Sequence, residues 1–232
     1  MERRAFVRAC AIGCMAGPWP ALAAQSMSPR SYARAQLVDA AGQPILGRTL
    51  PTDRNLIFHY PYTATPCFLL KLGTPARGAR PLQTRDAASY QWPGGVGPEG
   101  TIVAYSAICA HQLTYPTRDI SFISYRAEAT PSSKFARVIH CCSEHSQFDP
   151  AQGGKVVAGP APQPLAAILL EHDAGTDALY AVGTLGGEMF DAFFAKFEFR
   201  LAMEHAGRQR TPVEHSAVVR ELDAYCRQQV RC

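Results

Sequence analysis

The sequence predicts a mainly β protein, a sandwich or barrel of short strands, followed by a C-terminal helical pair. Three observations carry this expectation. Between about residues 31 and 183, short apolar or alternating runs rich in Val, Ile, Phe and Tyr recur between Gly/Pro turns. The period then changes, and Phe190, Phe193, Phe194, Phe197 and Leu201 fall on one helical face. The chain is long enough, at 232 residues, to bury a real core, and 47% hydrophobic against 18% charged residues excludes a disordered chain.

Taken in order, the first element is an address. Glu2-Arg3-Arg4-Ala5-Phe6-Val7-Arg8 is a basic start, residues 9–15 are apolar, and Pro18-Trp19-Pro20 breaks any helix. Ala21-Leu22-Ala23 supplies a small-x-small cleavage pattern, so residues 1–23 read as a signal peptide. The paired arginines ahead of Phe6-Val7 resemble a twin-arginine signal, a route that exports proteins already folded; the other reading is an ordinary secretory signal. Either way the mature chain is expected in the periplasm. It has no apolar run near the roughly 18 residues of a spanning helix, so no transmembrane span is expected there. The net charge of +4 is unclustered and gives no nucleic-acid footprint.

Strands are expected at residues 35–37, 55–60, 67–72, 101–106, 120–125, 135–139, 155–157, 167–171 and 178–182. Gly94-Gly95-Val96-Gly97, bracketed by Pro93 and Pro98, reads as a connection, because no helix pattern follows it to make a phosphate cradle. Residues 188–205 form the first helix. Ala192, Phe199 and Met203 lie away from its main stripe, so it is apolar on two faces and expected to be sandwiched. Thr211-Pro212-Val213-Glu214 is a capping box that predicts a second helix with Val218, Leu222 and Tyr225 on one stripe.

The chemistry lies in two loops that mix cysteine with histidine. Cys109-Ala110-His111 follows the run at 101–106, and Cys142-Ser143-Glu144-His145 follows the run at 135–139. A zinc finger would pair cysteine with cysteine and histidine with histidine; here each loop is mixed. Such a set suits a two-iron cluster with both thiolates on one iron and both imidazoles on the other. His59, His140, His172, His205 and His215 have no partner spacing and read as surface or strand residues.

At these loops the chain resembles the Rieske iron–sulfur proteins, and most of all the small subunits of arsenite oxidases. Phe58-His59-Tyr60-Pro61, Leu70-Lys71-Leu72-Gly73, Pro93-Gly94-Gly95-Val96-Gly97-Pro98 and Ile102-Val103-Ala104-Tyr105-Ser106 carry the likeness ahead of the first loop. Ser146-Gln147-Phe148-Asp149 and Asp177-Ala178-Leu179-Tyr180-Ala181-Val182-Gly183 carry it after the second. The resemblance implies an antiparallel β-sandwich with a cluster-binding subdomain over residues 31–185, leaving 186–232 as a C-terminal helical extension. It implies a Rieske [2Fe–2S] cluster held by Cys109, His111, Cys142 and His145, with Ser146 donating a hydrogen bond. Gly159-Pro160-Ala161-Pro162-Gln163-Pro164-Leu165 matches the proline loop that covers the cluster.

Three departures matter. The cysteines that clamp the ligand loops in many members are replaced by Thr114 and Glu144. Anchoring on Ser146-x-Phe148-Asp149 makes Cys141 the ligand and puts Glu144 on the histidine position; C-x-x-H spacing favours Cys142 with His145. A carboxylate at Glu144 lowers the potential relative to a neutral residue. Of the other cysteines, Cys226 and Cys232 point apart on one continuous helix, and either could bridge to Cys67 or Cys141.

By resemblance, the function is periplasmic one-electron transfer with no catalytic residues of its own. The partners implied are a larger catalytic subunit, of the molybdenum oxidoreductase class, and a cytochrome or copper electron carrier. Two other classes stay open: a quinol-oxidising Rieske subunit of a cytochrome complex, and a metal-binding module without electron transfer.

Overall fold

The computed structural model describes residues 26–232 apart from 77, 79 and 80, so the expected signal peptide lies outside the described residues. The strands are β1 (Arg30–Val38), β2 (Leu56–His59), β3 (Pro66–Lys71), β4 (Pro81–Gln83), β5 (Ser89–Gln91), β6 (Ile102–Ser106), β7 (Ile120–Ser121) and β8 (Ile123–Arg126). They continue with β9 (Val138–Cys141), β10 (Ser146–Asp149), β11 (Lys155–Ala158), β12 (Ala167–His172) and β13 (Leu179–Leu185). Helix α1 (Phe190–Glu204) is followed by β14 (Ser216–Val218), β15 (Arg220–Glu221), the single turn α2 (Leu222–Tyr225) and β16 (Gln228–Gln229).

The fold is mainly β. Eight strands form one sheet in the order β14-β1-β13-β12-β6-β3-β2-β15, and four form a second in the order β11-β10-β9-β8. All pairings in these sheets are antiparallel except β1 with β14. The large sheet is buried on both faces, which is why β3 and β6 are continuous apolar runs rather than alternating ones. Phe68 and Leu70 of β3 and Val103 and Tyr105 of β6 pack with Ile123, Tyr125, Ile139, Cys141 and Phe148 of the small sheet. The intervening residues Cys67, Leu69, Ile102 and Ala104 join Leu37, Phe58, Tyr60 and Leu179 on the other face. Period-two alternation thus sorts one strand's side chains into two cores.

Three sequence expectations shift. The run at 120–125 divides into β7 and β8, and the strand expected at 135–139 starts only at Val138 and continues to Cys141. The second helix is shorter than its stripe suggested: residues 216–221 are extended, and only Leu222–Tyr225 is helical. The β-branched pair Val218-Val219 lies where the large sheet offers open edges. β14 adds to β1 and β15 to β2, and Ala217 and Val219 are buried.

Helix α1 buries Phe190, Phe193, Phe194 and Leu201 against Ile108, Leu113 and Tyr115. Among the described residues nothing sandwiches its second apolar face, since Phe199 is 80% and Met203 70% exposed. Among the described residues no helix is long and apolar enough to cross a membrane.

Candidate metal centre

The two ligand loops leave the same edge of the inter-sheet core, and they have the same backbone. In the first, the Cys109 N–H donates to the Thr114 carbonyl at 2.8 Å and Leu113 takes a left-handed φ of 64°. In the second, Cys141 is the ladder partner of Ser146 and His145 takes φ 57°. Both loops are therefore closed between residue i and residue i+5, with a left-handed residue at i+4. The Cys109 sulfur accepts the N–H groups of His111 and Gln112, and the Cys141 sulfur those of Ser143 and Glu144, in each case from i+2 and i+3.

This correspondence makes Cys141 the counterpart of Cys109. Their side chains touch through an S–H···S hydrogen bond, and both are buried in the core between the sheets. The Cys109 hydrogen bond, helped by the two N–H donors, pulls the Cys141 thiol down to about 7 despite burial. The same shared proton, together with burial, pushes the Cys109 thiol up. Two buried sulfurs side by side, each met by backbone N–H groups, form a donor pair suited to a thiophilic metal.

Cys142 was the expected second thiolate. Its sulfur forms a disulfide with Cys232, so it is not available as a thiolate. The reason is strand alternation: with β9 running to Cys141, Cys141 faces the core and Cys142 turns toward the chain's C-terminal segment. The bridges considered from the sequence alone, to Cys67 or Cys141, are not formed; Cys67, Cys109, Cys141 and Cys226 are free.

The remaining predicted residues fall into two groups. His111 stands on the first loop with its Nδ1 atom buried and without a hydrogen-bond partner. Ser146 Oγ and Tyr115 Oη are likewise buried and unpartnered. Buried polar atoms are rarely left so, and His111 Nδ1 on the first loop and Ser146 Oγ at the close of the second are groups that a bound cofactor would satisfy. His145, by contrast, is gathered with His140: their rings lie 5.7 Å apart, and both have ligand atoms within 4.8 Å of each other and of Cys232. His140 is fully buried, and burial, with His145 and Arg126 nearby, lowers its pKa to about 4. No spacing in the sequence pairs His140 with these residues, because its companions lie across a strand pair and at residue 232. The residue three positions after Cys141 is Glu144.

The loops are braced from outside. Phe193 and Phe197 of α1 lie 4.8 and 5.0 Å from the Tyr115 ring, and Lys196 Nζ donates to the Gln112 carbonyl at 2.9 Å. The second loop is held by the Cys142–Cys232 bridge and by Arg126, which donates to the Val230 carbonyl. Gly159 opens the proline loop at φ 85°, where a Cβ would stand 2.5 Å from the His145 carbonyl oxygen. Only glycine lets that cover approach so closely.

No family model matches the chain. The iodate reductase subunit IdrB of Denitromonas iodatirespirans is 29% identical over 137 residues, covering 59% of this chain and 58% of that protein. The chain therefore spans less than two thirds of the length of this relative. The solved soluble domain of the Rieske protein II (soxF) from Sulfolobus acidocaldarius is 27% identical, covers 66% of this chain and 78% of that one, and has a TM-score of 0.45.

Proposed function

From the chain's similarity to the Rieske iron–sulfur proteins, we propose that it is a one-electron transfer subunit with a Rieske-type [2Fe–2S] cluster at Cys109, Cys141 and His111. The observation that carries the reading is the matched loop pair, with its thiols in contact and His111 Nδ1 buried without a partner. Cys109 and Cys141 would hold one iron. His111 would hold the other, together with the Glu144 carboxylate in place of the imidazole expected from His145. When bound, such a cluster supplies one reversible electron, at a potential set by net charge and by hydrogen bonds to its sulfurs.

The residues of the chain do the rest. The N–H groups of His111, Gln112, Ser143 and Glu144 stabilise negative charge on the two thiolates. Ser146 Oγ, buried at the closing pair of the second loop, is free to donate to cluster sulfur. A carboxylate ligand makes the centre more negative than two imidazoles would, and lowers its potential. The proline loop packs its Gly159 against the backbone of His145 and Ser146.

The partner in this reading is a larger catalytic oxidoreductase subunit, of the molybdenum class, acting on a small oxyanion such as iodate or arsenite. A cytochrome or copper protein exchanges electrons at the exposed edge, and export through the signal at residues 1–23 places the complex in the periplasm. The similarity to an iodate reductase subunit supports this class of partner.

The test is the purified full chain, assayed for iron and labile sulfide and by paramagnetic resonance after dithionite. The expected result is two irons per chain in the wild type and in Cys142→Ser, and their loss in Cys141→Ser. Colourless wild-type protein, silent on reduction, overturns the proposal. A cluster that survives Cys141→Ser but not Cys142→Ser overturns the assignment of ligands.

A further inference from the structure

His140, His145 and Cys232 are a group whose possible ligand atoms all lie within 4.8 Å of one another. It is separate from the thiol pair. Successive residues of β9 point to opposite sides, so His140 faces away from the core that holds Cys141 and Cys109. The ring nitrogens of the fully buried His140 lie 3.6 and 3.7 Å from Cys232 Sγ, a weak contact for a buried imidazole. The disulfide brings Cys142 to the same place as a fourth donor. His145 reaches the group from a left-handed backbone, which a non-glycine residue adopts at a cost.

We propose that reduction of the Cys142–Cys232 bridge opens a second, mononuclear metal site, in which Cys142, Cys232, His140 and His145 hold one thiophilic cation of the zinc class. Two sulfurs and two imidazoles are the donor set of closed tetrahedral zinc sites, and no carboxylate in the group invites magnesium or calcium. With Zn–S near 2.3 Å and Zn–N near 2.0–2.1 Å, a tetrahedron spaces nitrogen and sulfur by about 3.6 Å. That is the separation already present between His140 and Cys232. Only the two sulfurs must part, to about 3.8 Å.

The chemistry balances. A protein dithiol gives two electrons and two protons to the S–S bond and is itself oxidised to a disulfide. The cation then displaces both thiol protons to solvent and binds two thiolates and two neutral imidazoles. The site uses none of Cys109, Cys141 or His111 and stands independently of the cluster reading. It makes the bridge and the bound cation mutually exclusive occupants of one corner of the fold.

The test uses the full chain with its iron measured beforehand. It is reduced with a phosphine, incubated with zinc chloride, desalted, and assayed for zinc and iron. The expected result is one zinc per chain after reduction, at least about tenfold less without it, and unchanged iron. His145→Gly and Cys232→Ser should each lower zinc affinity at least about tenfold while keeping the iron and its visible spectrum. His145→Gly suits the left-handed backbone, so folding is not at risk. Reduced wild type that binds no zinc, equal binding without reduction, or a His145→Gly variant that binds like wild type each overturns the proposal. So does zinc gained at the expense of iron, or iron lost from either variant, since both return these residues to the iron centre.

Discussion

Phe193 stands edge-on to Tyr115, with ring centroids 4.8 Å apart and planes at 85°, and this contact joins the C-terminal helix to the first ligand loop. Both side chains are buried, in a cluster with Ile108, Leu113 and Phe194. Phe193→Ala should cost about 3–5 kcal/mol in urea unfolding, because a large aromatic leaves a cavity. Iron should also be released faster from this variant under chelation. Phe199→Ala, on the exposed side of the same helix, should stay within about 0.5 kcal/mol of wild type.

In the proposed centre, the Glu144 carboxylate stands in for the imidazole expected from His145. Glu144→His should raise the reduction potential of the reconstituted centre, on the order of 100 mV, because the ligand loses a negative charge. Glu144→Ala should leave iron bound by Cys109, Cys141 and His111 but labile. Potentiometric titration followed by paramagnetic resonance reads both effects. An unchanged potential in Glu144→His would remove Glu144 from the centre.

The equivalent left-handed residues of the two loops should respond oppositely to glycine. His145 is exposed, so His145→Gly relieves backbone strain and should raise stability by about 1 kcal/mol. Leu113 is buried at 7% exposure, and Leu113→Gly should be destabilising by about 2 kcal/mol or more, lost burial outweighing relieved strain. Thermal unfolding of the two variants in parallel decides it.

The bridge from Cys142 to Cys232 spans a separation of 90 residues. Cross-linking so long a loop restricts the unfolded chain by up to about 4–5 kcal/mol. Cys232→Ser should lower the urea midpoint of the oxidised protein and leave that of the reduced protein nearly unchanged. Equal midpoints under oxidising conditions would show that the bridge does not stabilise the fold.

Acid should weaken the fold through His59. Its ring packs 5.6 Å from Tyr225 and 6.3 Å from His205, and burial, with His205 and Arg118 and Arg220 nearby, lowers its pKa to about 3. The unfolded chain binds this proton near pH 6.5 and the folded chain only near pH 3. Stability is therefore lost as pH falls through that window. His59→Gln should flatten the dependence of unfolding free energy on pH between about 6.5 and 4. An unaltered slope in that variant would show that His59 does not carry it.

The sheet strands were legible because β2, β3, β6, β12 and β13 are apolar runs between turn residues, and α1 because five large side chains keep helical period. The segments missed are those whose structure depends on distant partners. β14 and β15 are extended only because β1 and β2 present open edges, a condition that no local pattern at residues 211–225 reports. At the site, Cys109 and His111 were legible as a motif on a loop after a strand. The choice between Cys141 and Cys142 turned on where β9 ends. Spacing favoured Cys142, whereas the ladder pairing of Cys141 with Ser146 makes the two loops equivalent. His140 reads from the sequence as a surface or strand histidine and does lie on β9, but its neighbour Cys232 is 92 residues away in the chain.

The two external braces also set an order of events during synthesis. Both ligand loops are complete by residue 146, but α1 begins at Phe190 and Cys232 is 90 residues beyond Cys142. At translation rates of about 5–20 residues per second, the nascent loops wait several seconds on the ribosome before either support emerges. The polypeptide must therefore be made well past both ligand loops before either can be clamped from outside.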